Sequence, residues 1–297
     1  MDTPATSYTD TELREDWIDL CHRSTTAFVG ARIRTGMLLL EHYQPHIWQT
    51  RGPNGRSISD LWHTDARIKA EARSLLEKRR IYKSEVRRNL AFANGVPLPT
   101  MYRPLLTKGI VAELSAKKVL DPCIGWGGRM IGSVCQNDVE YTGCEPNTLT
   151  YTGLCDMATF CNVSDRVTLY NDGAEVVLPT LVSGSYDLVL TSPPYFDLEV
   201  YTDEATQSIN KWPVWEEWTC HWLDPLIKEC IRCLTVTGVS AWSVKNMRRY
   251  KLRDTVVAIH EKYGFELYAV RGMMSCRRKT GETASLTEET LLFRRRP

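Results

Sequence analysis

The chain has 297 residues, 43% hydrophobic and 25% charged, with a formal net charge of +1, which excludes disorder and leaves room for one large domain plus an appendage. No apolar run approaches the roughly 18 residues of a membrane span, and Asp2, Asp10 and Glu12 stand where a leader would carry positive charge, so a cytoplasmic protein with no membrane partner is expected. Near-neutral charge gives no global nucleic-acid signature, so any such contact rests on local patches, and the ten cysteines at irregular spacing read as reduced thiols.

Residues 1 to 95 read as a helical N-terminal extension. Asp10 or Thr11 is placed to cap a helix carrying Leu13, Trp17, Leu20 and Cys21 on one face, and Leu38-Leu39-Leu40 ends a second apolar patch. Pro45 and Gly52-Pro53-Asn54-Gly55 break the chain. Ser57 or Ser59 then caps a long helix running from Arg67 through Arg79 and Arg80 to Arg88, in which basic residues far outnumber Glu71, Glu77 and Glu85. The plain account of such a run is a solvated face, and the functional one is a face that meets nucleic-acid phosphates. His42 and His46 lie four apart, but Pro45 between them spoils a helical metal pair and no metal is expected.

The Pro-rich stretch from Gly95 to Pro104 marks a boundary near Gly95, with a second domain over 96–297. An apolar helix over 105–114 leads into Lys118-Val119-Leu120-Asp121, a strand, followed by Pro122-Cys123-Ile124-Gly125-Trp126-Gly127-Gly128, a loop, and by a helix opening at Arg129. Glycines in such a βα turn permit positive φ and let backbone approach a ligand closely. The next strand ends in Glu145, twenty positions after Gly125, where a carboxylate accepts from ribose hydroxyls. Val167 to Asp172 is a third strand, ending in an acid placed to accept from an adenine amino group. Asp121 adds a carboxylate that could face a positively charged ligand.

The run Asp187-Leu188-Val189-Leu190-Thr191 is a buried strand stopped by Ser192-Pro193-Pro194-Tyr195-Phe196. Neither proline can donate to a ladder, so the chain stiffens and its carbonyls point beyond the sheet edge. A hydroxyl, rigid carbonyls and a ring face suit the gripping of a planar, amino-bearing group. The segment Asp197 to Lys211 is polar and is expected to overhang this site. Trp212, Trp215, Trp218 and Trp222 recur at helical spacing and read as a helix packed on the sheet, with Cys230 and Cys233 further along it. A fifth strand over Gly238 to Val244 runs into Lys245, Asn246 and Arg248, and a helix over 252–263, a strand over 265–271 and a final strand over 289–295 complete the chain.

The ordered set of Asp121-Pro122-Cys123-Ile124-Gly125-Trp126-Gly127-Gly128, Glu145, Asp172 and Thr191-Ser192-Pro193-Pro194-Tyr195 resembles the Class I methyltransferases that use S-adenosylmethionine, and more narrowly the DNA amino-methyltransferases. The resemblance covers residues 95 to 295. It implies a Rossmann-like α/β sheet of seven strands, the last antiparallel, carrying the helical N-terminal extension. It implies that Asp121, Gly125, Trp126 and Gly127 line the methionine half of the cofactor, with Pro122 and Thr191 as further contacts, Glu145 on the ribose and Asp172 on the adenine. Ser192, Pro193, Pro194 and Tyr195 are then the catalytic stretch. Phe196, Tyr201, Lys245, Asn246, Arg248, Arg277 and Arg278 are the candidate nucleic-acid contacts. The expected partners are DNA and a second subunit or a homodimer, in a bacterium or in the host cell of a virus or phage.

The chemistry agrees with the residues. An exocyclic amino nitrogen is a poor nucleophile because its lone pair is delocalised, and hydrogen bonds to Ser192 and the Pro193 carbonyl favour a pyramidal nitrogen aimed at the methyl group. Tyr195 stacks on a base taken out of the duplex, a contact worth on the order of 1 to 3 kcal/mol. Carbon-5 methylation of cytosine needs a thiolate, and Pro122-Cys123 lies in the cofactor loop instead. Serine at the head of the tetrad leans towards cytosine N4. Adenine N6, an RNA guanine amino group and a non-catalytic nucleic-acid-binding subunit are the alternatives. Roughly seventy residues between loop and tetrad leave no room for a separate target recognition domain.

Overall fold

The computed structural model describes residues 8–30, 33–52, 54–70, 83–96, 99–274 and 286–297. Eight strands form one sheet: β1 (Phe28–Gly30), β2 (Lys118–Asp121), β3 (Glu140–Cys144), β4 (Val167–Tyr170), β5 (Tyr186–Thr191), β6 (Leu234–Ser243), β7 (Phe265–Met274) and β8 (Leu286–Arg295), in the order β1-β7-β8-β6-β5-β2-β3-β4. All pairs are parallel except those of β8, which runs antiparallel between β6 and β7. The chain leaves β2 towards β3 and β4, then returns to β5 and β6 on the other side. A crevice opens beyond the strand ends where that direction reverses, between β2 and β5.

The Rossmann-like α/β fold expected from the sequence is present, with one strand more than expected. Parallel strands covered on both faces read as unbroken apolar runs, and Leu188, Val189 and Leu190 of β5 are accordingly fully buried. One face packs against α1 (Asp10–His22), α2 (Met37–Tyr43), α3 (Ile58–Thr64), α5 (Pro104–Glu113), α6 (Gly128–Val134) and α7 (Thr148–Phe160), reached after α4 (Lys83–Asn94). The other face packs against α8 (Ala174–Val177), the run from Trp215 to Cys233 and α12 (Leu252–Lys262). Between them in the chain, α9 spans Ser208–Lys211, α10 Trp215–Trp218 and α11 Asp224–Cys233. A π-helical turn over Thr219–Leu223 joins α10 to α11. Trp218 and Trp222 are buried against the sheet, as the spacing of the tryptophans predicts, and Cys230 and Cys233 are buried thiols of the same face.

The first ninety-five residues do not stand apart. Leu13, Leu20, Leu39, Leu40 and Trp62 belong to the same hydrophobic cluster as Ile110, Val119 and Leu188. Lys108 of α5 donates to the carbonyls of Leu20, Cys21 and Arg23 at 2.7 to 2.9 Å, a cation seated on the C-terminal carbonyls of α1. β1 joins the sheet edge by pairing with Gly272–Met274 of β7. The approach to β1 needs Gly109, where a Cβ would sit 2.1 Å from the Thr26 carbonyl oxygen. The change of composition near Gly95 is therefore not a break in the core.

Local expectations shift in two places. α1 is capped by Thr9 in a capping box with Glu12, one residue before the expected Asp10. Ser57 does cap a helix, reciprocally with Asp60, but α3 ends at Thr64 and Asp65 leaves helical geometry. The long basic helix is thus broken at Asp65; a further helical turn covers 66–70, and the part over 71–82 lies outside the described residues. No helix among the described residues is long and apolar enough to cross a membrane.

Candidate active site

A cavity of about 670 Å³ opens at the C-terminal ends of the strands, within the usual range for small-ligand sites. Five strand ends supply its wall: Pro122 to Trp126 after β2, Glu145 to Asn147 after β3, Gly173 to Glu175 after β4, Ser192 to Tyr195 after β5, and Ser243 to Asn246 after β6. The loop after the tetrad adds Tyr201 and Gln207.

The glycine loop and Glu145 form one unit. Gly125 has φ +58°, and a Cβ placed there would meet nothing within 4 Å, so its backbone faces the cavity bare. Its N–H donates to Glu145 Oε2 at 2.9 Å, and the Asn147 N–H donates to Oε1 at 2.8 Å. Each carboxylate oxygen keeps a further lone pair for a ligand. Burial pushes the Glu145 carboxyl up to about 8 against the opposing pull of those two N–H groups. A bare glycine edge beside a carboxylate with spare acceptor capacity fits the sugar of a nucleoside cofactor such as S-adenosylmethionine. Trp126 closes that side, with its ring 5.8 Å from Tyr201 edge-on and 5.4 Å from His46. Pro122 lies in the same wall.

Four residues expected to touch the cofactor have other partners. Asp121 is fully buried and accepts from Arg129 Nε at 2.7 Å, Tyr141 Oη at 2.7 Å, Thr191 Oγ1 at 2.8 Å and the Cys123 N–H at 3.1 Å. Its charge is answered within the protein, so it does not face a cationic ligand. Thr191, as one of those donors, is likewise in the core. Gly127 adopts φ +88° to start α6, where a Cβ would sit 2.7 Å from Leu154 Cδ2, so helix packing rather than ligand contact requires it. Asp172 accepts from the Gly173 N–H at 2.7 Å and sits outside the cavity wall.

At the other end, Ser192 Oγ donates to the Ser243 carbonyl at 3.1 Å, which turns its lone pairs away from that strand. Pro193, Pro194 and Tyr195 line the wall beside it, and Lys245 Nζ stands 5.9 Å from the Tyr195 ring centroid, within cation–π range. Lys245 and Asn246 are exposed at the rim, whereas Arg248 is exposed away from the wall. Phe196 is 3% exposed and packs edge-on or tilted against Trp215, Trp218 and Tyr250. It anchors the tetrad in the core and is not available to a base. Tyr201 lines the cavity while its hydroxyl donates to Glu199. Arg277 and Arg278 lie outside the described residues.

Sequence reasoning assigned no role to two carboxylates of this wall, Glu199 and Glu288. Burial raises the Glu199 and Glu288 carboxyls, and Ser243 Oγ lies 3.5 Å from Glu288 Oε1. Glu288 reaches the cavity through the register of β8 against β7, where it pairs with Met273, which no local pattern encodes. The segment after the tetrad is pinned rather than loose: Arg51 and Val200 exchange two backbone hydrogen bonds at 2.9 and 2.8 Å, and Glu204 accepts from the Thr148 N–H at 3.1 Å at the start of α7.

No family model matches the sequence, and no curated protein matches it. Solved structures to which the chain is similar include the [4+2]-cyclase SpnF, at 16% identity over 58% of this chain and 62% of that one, with a TM-score of 0.42. Another is a SAM-dependent O-methyltransferase from Thermotoga maritima, at 10% identity over 68% and 74% and a TM-score of 0.42. The chain spans 62% of the length of SpnF.

Proposed function

We propose that this protein transfers a methyl group from S-adenosylmethionine to an exocyclic amino group of a DNA base held out of the duplex, with cytosine N4 as the target. The observation that carries this reading is one cavity holding a nucleoside cradle, Gly125 with Glu145, and a Ser-Pro-Pro-Tyr stretch two strand ends away. The cofactor supplies an electrophilic methyl on a sulfonium. Every other task falls to the chain. Ser192 Oγ, already donating to Ser243, offers lone pairs to one amino hydrogen, and the Pro193 carbonyl offers an acceptor to the other. That pairing draws the nitrogen towards a pyramidal shape and orients its lone pair for in-line attack. Tyr195 stacks on the base, and Lys245 beside its ring adds positive charge at the rim for a phosphate. The nitrogen takes the methyl and sheds one proton to solvent.

Incubation with isotopically labelled S-adenosylmethionine and unmethylated DNA, read by nucleoside mass spectrometry with Tyr195→Ala as control, tests the proposal. N4-methylcytosine is the expected product. N6-methyladenine would keep the mechanism and overturn the target, while absence of label in DNA would overturn the reading.

A further inference from the structure

We infer that Gln207, on the loop after the tetrad, reads the purine edge of the cofactor's nucleoside, the task that the sequence suggested for Asp172. The inference rests on the methyl-transfer reading for the identity of that nucleoside.

Gln207 is 8% exposed and lines the cavity. Its Nε2 has no hydrogen-bond partner among the described residues. A buried amide left unpaired is costly, and in a folded protein it marks a place where a partner arrives. Its backbone is fixed, with the N–H donating to the Glu204 carbonyl at 3.1 Å and the carbonyl accepting from the N–H groups of Asn210 and Lys211 at 3.0 and 3.2 Å.

The neighbours of Gln207 locate it along the sheet. Thr206 Oγ1 donates to the Pro146 carbonyl at 3.1 Å, just past β3, and Lys211 pairs with Glu175 at 2.6 Å, just past β4. Gln207 therefore lies across the ends of β3 and β4, on the same side as Glu145 and away from the tetrad. Asp172, at the same sheet edge, accepts from the Gly173 N–H through Oδ1 and lies outside the wall.

An amide presents a donor and an acceptor side by side, and whichever way it is turned the pair complements adenine, whose 6-amino donor adjoins a ring-nitrogen acceptor. Glu145 then holds the sugar and Gln207 the base of one nucleoside. The loop carrying Gln207 starts at the tetrad, so the same stretch of chain borders both the cofactor and the target base.

Calorimetric titration of the full chain tests this with S-adenosylhomocysteine and with its analogue lacking the 6-amino group. Wild type is expected to lose about tenfold in affinity when the amino group is removed. Gln207→Leu should bind S-adenosylhomocysteine about tenfold more weakly and distinguish the two ligands by less than about twofold. Gln207→Met, of similar length, gives the same comparison should the leucine variant fail to fold, and Asp172→Asn should keep the wild-type ratio. An unchanged ratio in both Gln207 variants, or a ratio that collapses in Asp172→Asn, would overturn this assignment alone. Failure of wild type to bind S-adenosylhomocysteine would overturn it together with the cofactor reading.

Discussion

Asp121 and Arg129 form a buried ion pair beneath the glycine loop, with Nε 2.7 Å from Oδ2 and side chains 0% and 5% exposed. The same guanidinium donates to the carbonyls of Cys123 and Ile124, so one cation ties the end of β2 to the loop that follows it. Removing one partner leaves an unanswered charge in the core. Arg129→Met is expected to cost about 3 to 5 kcal/mol in urea unfolding. Asp121→Asn combined with Arg129→Met should cost less than the two single changes added together, because neither charge is then stranded.

Glu145 gives the ligand-free protein a particular pH dependence. Its carboxyl is raised from 4.5 to about 8 by burial, so the folded state holds a proton that the unfolded chain has released. The associated stability is complete below the unfolded value and declines by up to about 1.4 kcal/mol per pH unit until pH passes about 8. Glu145→Gln should lack that slope, so the wild-type-minus-variant difference in unfolding free energy should fall from pH 5 to about 8 and then level off towards pH 9. S-adenosylhomocysteine, whose ribose hydroxyls donate to the ionised carboxylate, should bind wild type more tightly as pH rises to about 8, and then level off.

Adjacent aromatics of the tetrad segment should separate cleanly. Phe196 is buried among Trp215, Trp218 and Tyr250, and Phe196→Ala is expected to cost about 3 to 5 kcal/mol of stability. Tyr195→Ala, at the cavity wall, should leave most of the stability in place. It should lower methyl transfer to DNA by roughly ten- to a hundredfold, the worth of one base stack. Thermal melting and single-turnover rates on the two variants check both halves.

Gly125 and Gly128 are three residues apart and should fail in different ways. A Cβ at Gly128 would lie 2.0 Å from the Tyr102 carbonyl oxygen, a backbone atom with no room to yield. Gly128→Ala is therefore expected to lower stability by about 1 to 3 kcal/mol or more. Gly125→Ala meets no atom but must hold φ +58°, a strain of about 1 kcal/mol, and its methyl enters the cavity. It should melt within a few degrees of wild type while binding S-adenosylhomocysteine markedly more weakly by calorimetry.

Much of the sheet is legible because buried parallel strands write themselves as apolar runs between turn residues, as in β2 and β5. The glycine loop, Glu145 and the tetrad are legible because each sits immediately after such a strand. What escaped depends on distance in sequence. β1 is three residues long and has no period to read, and Glu288 enters the cavity only through the register of β8. Asp121 and Thr191 look like ligand groups at strand ends until Arg129, on the next helix, is seen to claim the carboxylate. Gln207 sits in a polar stretch where every neighbour looks equally solvated, and only the fold shows which amide is enclosed.

β1 has a temporal consequence. Residues 28 to 30 are synthesised well before their partners at Gly272–Met274, which follow 244 positions later, a delay of roughly ten to fifty seconds on a ribosome. Throughout that interval the strand has no place to dock, and the closure of so large a loop is among the slower steps a chain can take. The Arg51–Val200 bridge waits for a partner 149 positions later. The sheet edge beside Met273 of the cavity wall is thus closed by a strand made long before its partner.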